Sequence, residues 1–163
     1  MERCYVTPSV YTKGLIANMD ETMEKKSALL VGVGGQGAAD IVGAFEKMEA
    51  VRYADYLKPD GVAVINDYEI VSSTIATGAA EYPAGCLEAM QENFKCYTLN
   101  AAKIAEDLGS AKCMNIVLFG AMTAALKMDD IDWEAIIAET VPAKFKELNM
   151  NAYRAGRAAA MGE

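Results

Sequence analysis

The chain has no histidine among its 163 residues. That absence removes Ser-His and Cys-His nucleophile pairs, histidine general bases and every histidine-ligated metal site. Cysteine is scarce as well, and Cys4, Cys86, Cys96 and Cys113 never fall into a CxxC pair. Zinc ribbons, ferredoxin-type clusters and thioredoxin-like redox motifs are therefore unsupported. The four thiols read instead as small apolar residues of a reducing compartment. Positive charge is also short, with 15 Lys and Arg against 23 Asp and Glu, a net charge of −8. Nucleic acid and anionic membranes both demand clustered basic residues, so neither is expected as a partner. No uninterrupted apolar run approaches the ~18 residues of a membrane span, and the N-terminal residues lack the apolar core of a secretory signal. The expectation is a cytoplasmic protein whose own side chains hold no metal.

What is present fits a globular α/β domain: 53% hydrophobic and 23% charged residues, in a chain long enough for one real core. Residues 1–22 carry Pro8 and Gly14 without periodicity and are expected to form an irregular arm ahead of a domain at 23–163. Ala28–Val33 (ALLVGV) is the short apolar run of a strand buried on both faces. After it, apolar residues recur near helical period at Ile41, Phe45, Met48, Val51 and Ala54. Lys58-Pro59-Asp60-Gly61 reads as a turn and Gly61–Asn66 as a second buried strand. Strand, helix and strand in that order predict a parallel sheet.

Further on, the pattern predicts a short helix from Cys86, a strand at Lys95–Leu99 and a helix capped by Asn100 that stops at Gly109. Met114–Met128 is apolar nearly all round and should be a central buried helix. Asp132 should cap a helix from Trp133 to Thr140. Pro142 suits the first turn of a last helix with Phe145, Leu148, Ala152, Ala155 and Ala159 on one stripe. The helices of this second half are expected to leave an exposed apolar patch on the monomer. The ten methionines are scattered and read as core filling.

Gly32-Val33-Gly34-Gly35-Gln36-Gly37 overlaps the end of the first strand and continues beyond it, where a phosphate-cradling loop belongs. Its glycines would let backbone N–H groups approach an anion closely. The same loop in a dinucleotide-binding domain would pair with an acidic strand end, and Asp67 ends the second strand. The gap from Gly37 to Asp67 is longer than the usual ~20 residues, and no tyrosine has a lysine four positions on. A purely structural tight turn and an ordinary strand-end aspartate remain the alternatives.

The string GVGGQG resembles the gamma domain of the 2-oxoacid:ferredoxin oxidoreductases, most closely the indolepyruvate branch of that family. Ala39–Asp67 (ADIVGAFEKMEAVRYADYLKPDGVAVIND), Gly78–Pro83 (GAAEYP), the NIVLFGAM block with Asn115 and Gly120, and the terminal pattern around Asn149, Ala152 and Gly156 match in order. Together they run from about Met23 to Ala160. The resemblance implies a Rossmann-like three-layer α/β/α domain with a mostly parallel sheet and a helical C-terminal half. It also implies a subunit with no catalytic residue of its own. Oxidative decarboxylation of an aryl pyruvate would take place on thiamine diphosphate, with electrons passing through iron–sulfur clusters to ferredoxin and the acyl group to coenzyme A. The thiamine and cluster sites would belong to a larger alpha subunit. Gly32, Gly34, Gly35, Gln36 and Gly37 would face the active-site side, near coenzyme A or substrate entry.

One departure is large. In the family a further segment, with the first helix, more strands and an Arg-Gly-Gly motif, separates the GGQG loop from the ADIV block. Here only Ala38 stands between Gly37 and Ala39-Asp40-Ile41-Val42. The family's alignment makes ADIVGAF a strand parallel to ALLVGV, yet parallel strands need a crossover of about a dozen residues. The sequence therefore favours one long helix from Gly37 to Lys58, in which Gly43 costs only about 1 kcal/mol. The other solution is a deletion that damages the sheet. Two further function classes stay open: a free-standing dinucleotide-binding oxidoreductase, and a truncated paralogue that only binds partners.

Overall fold

The computed structural model describes residues 28–30, as backbone, and 39–162. The arm expected at 1–22 and the loop residues Gly32, Gly34, Gly35, Gln36 and Gly37 lie outside the described residues.

Four strands, β1 (Ala28–Leu30), β2 (Ala39–Ala44), β3 (Leu57–Asn66) and β4 (Lys95–Leu99), form one sheet in the order 1-2-3-4. Every pairing is parallel: Ala28 lies opposite Ile41, Val42 opposite Ala63, and Ala63 opposite Cys96. ADIVGA is thus a strand, and the long helix expected over 37–58 is overturned. The reason lies in which side chains are buried. Ile41 joins the core on one face of the sheet, while Val42 and Ala44 join the core on the other. A helix would leave half of such a run in water, whereas a central strand covers both faces.

The expected turn at Lys58–Gly61 is also corrected, because these residues fall inside β3. Ala39 pairs with Leu57 but Ile41 pairs with Val62, so the turn-forming residues are pushed out as an irregularity between two paired stretches. A bulge of this kind tolerates Pro59, which cannot donate to a ladder.

Helices cover both faces. On one face α1 (Lys47–Arg52) and α3 (Cys86–Asn93) pack through Ala50 and Met90 on Val42, Ala63 and Ile65. A single turn, α2 (Ser73–Ala76), lies in the long connection after β3. On the other face stand α4 (Ala101–Asp107), α5 (Met114–Ala125), α6 (Trp133–Thr140) and α7 (Lys146–Met161). Their residues Val117, Leu118, Ile137 and Ala152 meet Ile41, Val64 and Leu99. The expected caps hold: the Asn100 side chain accepts from the Lys103 N–H, Asp132 accepts from the Ala135 N–H, and Gly109 takes a positive φ of 99°. Two details of the last helix differ from expectation. Pro142 precedes a 3-10 turn at Ala143–Phe145 instead of entering the helix, and Phe145 is exposed, so the buried stripe is Ala152, Tyr153 and Gly156.

That stripe lets two backbones touch. A Cβ on Gly120 of α5 would stand 2.1 Å from the Tyr153 carbonyl oxygen, and one on Gly156 of α7 only 1.8 Å from that of Val117. Any side chain at either position would drive the helices apart. Beside the contact Phe119 meets Trp133 edge-on, with ring centroids 5.1 Å apart, in the arrangement aromatic quadrupoles favour.

Candidate functional site

In a parallel α/β sheet the carboxyl ends of the strands gather the loops that can bind ligands. Here that edge is formed by Phe45-Glu46-Lys47 after β2, Asn66-Asp67 after β3 and Asn100 after β4. The chain also leaves β1 at this edge, because Leu30 pairs with Gly43.

Two buried polar side chains organise the edge. Asn66 is fully buried; its amide donates to the Phe45 carbonyl at 2.9 Å and its carbonyl accepts the Ala101 N–H at 2.8 Å. It ties the end of β2 to the first turn of α4 across β3. Glu46 is only 2% exposed and caps α1, accepting the Glu49 N–H at 2.7 Å and the Met48 N–H at 3.1 Å. Glutamate is not among the preferred capping residues. Its longer side chain is retained here because the carboxylate also accepts the Tyr82 hydroxyl. That hydroxyl in turn accepts the Met48 N–H at 3.0 Å. Three donors thus offset the desolvation of a buried carboxylate.

Around this pair the charges are matched. Lys47 lies 2.7 Å from Glu69 and 3.5 Å from Asp67, with its ammonium over the Tyr82 ring. The bond to Glu69 outweighs burial and raises the Lys47 pKa. Burial, reinforced by the bond to Glu46, holds the Tyr82 phenol well above its ordinary range, so it stays a donor. Burial also pushes up the thiols of Cys86, Cys96 and Cys113, and at Cys86 the Glu46 charge adds to it. None of these is a thiolate nucleophile near neutral pH. Among the described residues no group of three or more Cys, Asp and Glu side chains could hold a metal ion. Cys86, Cys96 and Cys113 thus form no cluster-binding group among the described residues. The edge can bind, position and dock.

Asp67, considered from the sequence as a ribose-binding acid, does not suit that role. It ends β3, two strands away from β1, and its carboxylate pairs with Lys47. The strand adjoining β1 is followed by Glu46, which is committed to α1 and Tyr82. Glu46, Asn66 and Tyr82 were missed from the sequence. Tyr82 stands in the GAAEYP block, and Glu46 was hidden by reading its segment as helix interior.

A second concavity of about 500 Å³ lies beyond the C-terminal end of α5, lined by Asp129, Asp132, Trp133, Tyr153 and Arg157. Its charges are satisfied locally: Arg157 pairs with Asp129 and donates to Thr123 at 3.3 Å, and Arg154 pairs with Glu134. It closes the helical face.

Parallel topology, helices on both faces and polar residues at the carboxyl edge define a Rossmann-like three-layer α/β domain. Residues 34–159 match the model of the pyruvate ferredoxin/flavodoxin oxidoreductase family, and the chain belongs to that family. It is 32% identical over 131 residues to an indolepyruvate oxidoreductase subunit IorB of Thermococcus kodakarensis, covering 77% of this chain and 65% of that protein. A Pyrococcus horikoshii protein of the same description is 33% identical over 135 residues, with the same shares covered. The chain thus spans 65% of the length of these curated relatives. The fold is shared with the gamma subunit of a keto/oxoacid ferredoxin oxidoreductase from Geobacter sulfurreducens. That likeness has a TM-score of 0.57 at 24% identity, covering 78% of this chain and 67% of that one. A 2-oxoglutarate:ferredoxin oxidoreductase from Magnetococcus marinus, solved with 2-oxoglutarate, coenzyme A and succinyl-CoA bound, has a TM-score of 0.52 at 19% identity. It covers 78% of this chain and 21% of that one.

Proposed function

We propose that this chain is the accessory subunit of a ferredoxin-dependent 2-oxoacid oxidoreductase that converts aryl pyruvates, indolepyruvate foremost, to acyl-CoA in the cytoplasm. The observation that carries the reading is the 32% identity to a protein named as an indolepyruvate oxidoreductase subunit, extending over 77% of this chain. The chemistry of the described edge agrees with an accessory role, since its acids, phenol and thiols are either paired or held protonated. Thiamine diphosphate and the iron–sulfur clusters belong to a larger alpha subunit, and coenzyme A reaches the shared site. This chain's part is to dock its carboxyl edge on that subunit. The glycine loop, Gly32, Gly34, Gly35, Gln36 and Gly37, faces the site, the domain extends over 23–163, and residues 1–22 are an arm.

Co-expression with the larger subunit tests the reading. The two chains should co-purify, and only together should they reduce ferredoxin with indolepyruvate and coenzyme A. Gly35→Val should abolish that activity while assembly persists, because a side chain in the loop blocks close backbone approach. Assembly without ferredoxin reduction overturns the proposal in favour of the partner-only alternative, and tight binding of NAD or FAD by this chain alone overturns it in favour of the dinucleotide-binding one.

A further inference from the structure

The connection from β3 to α3 is the longest among the described residues. From 67 to 85 no residue is buried; Ser72, Ile75 and Tyr82 are half-covered and the rest are exposed. The segment has no core of its own, and its apolar residues Tyr68, Ile70 and Val71 stand 45%, 53% and 56% exposed. It bonds to the body at two roots, which both reach the first turn of α1, and the first also reaches β4, where the Asp67 N–H donates to the Leu99 carbonyl at 2.9 Å. At the first root the Lys47 N–H donates to the Tyr68 carbonyl at 3.1 Å, and the Lys47 ammonium holds Glu69 and Asp67. At the second root the Tyr82 hydroxyl donates to the buried Glu46 carboxylate and accepts the Met48 N–H, and beside it the Pro83 carbonyl accepts the Cys86 thiol. Between the roots the segment bonds to itself, around the turn capped by Ser72.

We infer that residues 67–85 form a strap over the carboxyl edge, and that the Tyr82 hydroxyl on Glu46 is its latch. A segment with little buried apolar surface opens at low free energy, and its anchoring contacts set how often it does so. Opening at Tyr82 uncovers Glu46 and the beginning of α3. Cys86, only 8% exposed, lies there: its thiol donates to the Pro83 carbonyl at 3.3 Å and feels the charges of Glu46 and Lys47. Access to Cys86 therefore reports the latch.

Peptide-resolved N-ethylmaleimide labelling of the full chain tests this without any partner, so its result is independent of the assembly proposed above. In Tyr82→Phe the ring is kept and the hydroxyl lost. Cys86 labelling should then rise roughly tenfold or more, as expected when a charge-assisted hydrogen bond is removed. Amide exchange across 67–85 should accelerate in parallel. Cys113, 2% exposed on the opposite face of the sheet, should keep its wild-type rate. Glu69→Ala, which removes an ion pair of the first root and keeps the Tyr82 hydroxyl on Glu46, should leave Cys86 unchanged. Unaltered Cys86 labelling in Tyr82→Phe overturns the latch. A parallel rise at Cys113 overturns it too, because the hydroxyl would then be holding the whole fold.

Discussion

The helical face and the carboxyl edge of this domain are held by opposite means. Where α5 crosses α7, two glycines bring main chain against main chain, and no side chain can be added without moving a helix. At the edge, a segment from 67 to 85 with no buried residue is fastened by bonds at its two ends, to Lys47 and Leu99 at one and to Glu46, Met48 and Cys86 at the other. The first contact is permanent because close-packed backbone cannot yield gradually. The second consists of bonds partly open to water, each of modest net strength. Rigidity is therefore concentrated behind the sheet, and the freedom to move lies at the carboxyl edge.

The sharpest way to break this comparison is to add one methyl group to the helix crossing. Gly156→Ala should destabilise the domain by about 3 kcal/mol or more, since the new Cβ meets a backbone oxygen and not a flexible side chain. Gly120→Ala should behave alike, as read from chemical denaturation. A loss below about 1 kcal/mol in both would show that the crossing can relax.

Next in size is Asn66, which belongs to both regions because it joins the edge to α4. Asn66→Ala leaves the Phe45 carbonyl and the Ala101 N–H unpaired in the interior and should cost about 2 kcal/mol. Asn66→Leu, which fills the space without restoring either bond, should do no better by the same measurement.

A smaller effect is expected on the alkaline side. The Tyr82 pKa is raised in the folded state, so its contribution is complete below the ordinary phenol range near pH 10. It declines as pH rises above that range and is lost through the higher folded value. Ultraviolet titration should show one tyrosine ionising after the others, and Tyr82→Phe should remove that late step alone.

The smallest effect belongs to the Glu134–Arg154 pair joining α6 to α7. Its bond to Arg154 lowers the Glu134 pKa, so its contribution is present above the ordinary carboxylate range and lost as pH falls below it. Both side chains are substantially exposed, and Glu134→Gln should shift the melting temperature at neutral pH barely beyond error.

Much of the helical face was legible. Asn100, Asp132 and Gly109 act locally, through side-chain caps and a left-handed turn that neighbours cannot override, and each stands where its chemistry indicates. The unbroken apolar run of α5 needed only burial all round, and Ile116–Thr123 receive it. Of the exposed large apolar residues, Phe145 and Met161 lie in the helical second half, and Tyr68, Ile70 and Val71 in the connection after β3.

Read along the chain, the residues specify a parallel α/β core, the helix boundaries set by caps, and a family resemblance that the match over residues 34–159 bears out. Local pattern left ADIVGA open between the strand of the family's alignment and a helix, and long-range packing makes it a strand. Its apolar residues are spaced compatibly with either period, and the choice falls to the strands on both sides, which bury Ile41 on one face and Val42 and Ala44 on the other. Tertiary structure alone also made Glu46 a buried cap for Tyr82, because a carboxylate so placed is stable only when donors distant in sequence arrive to meet it.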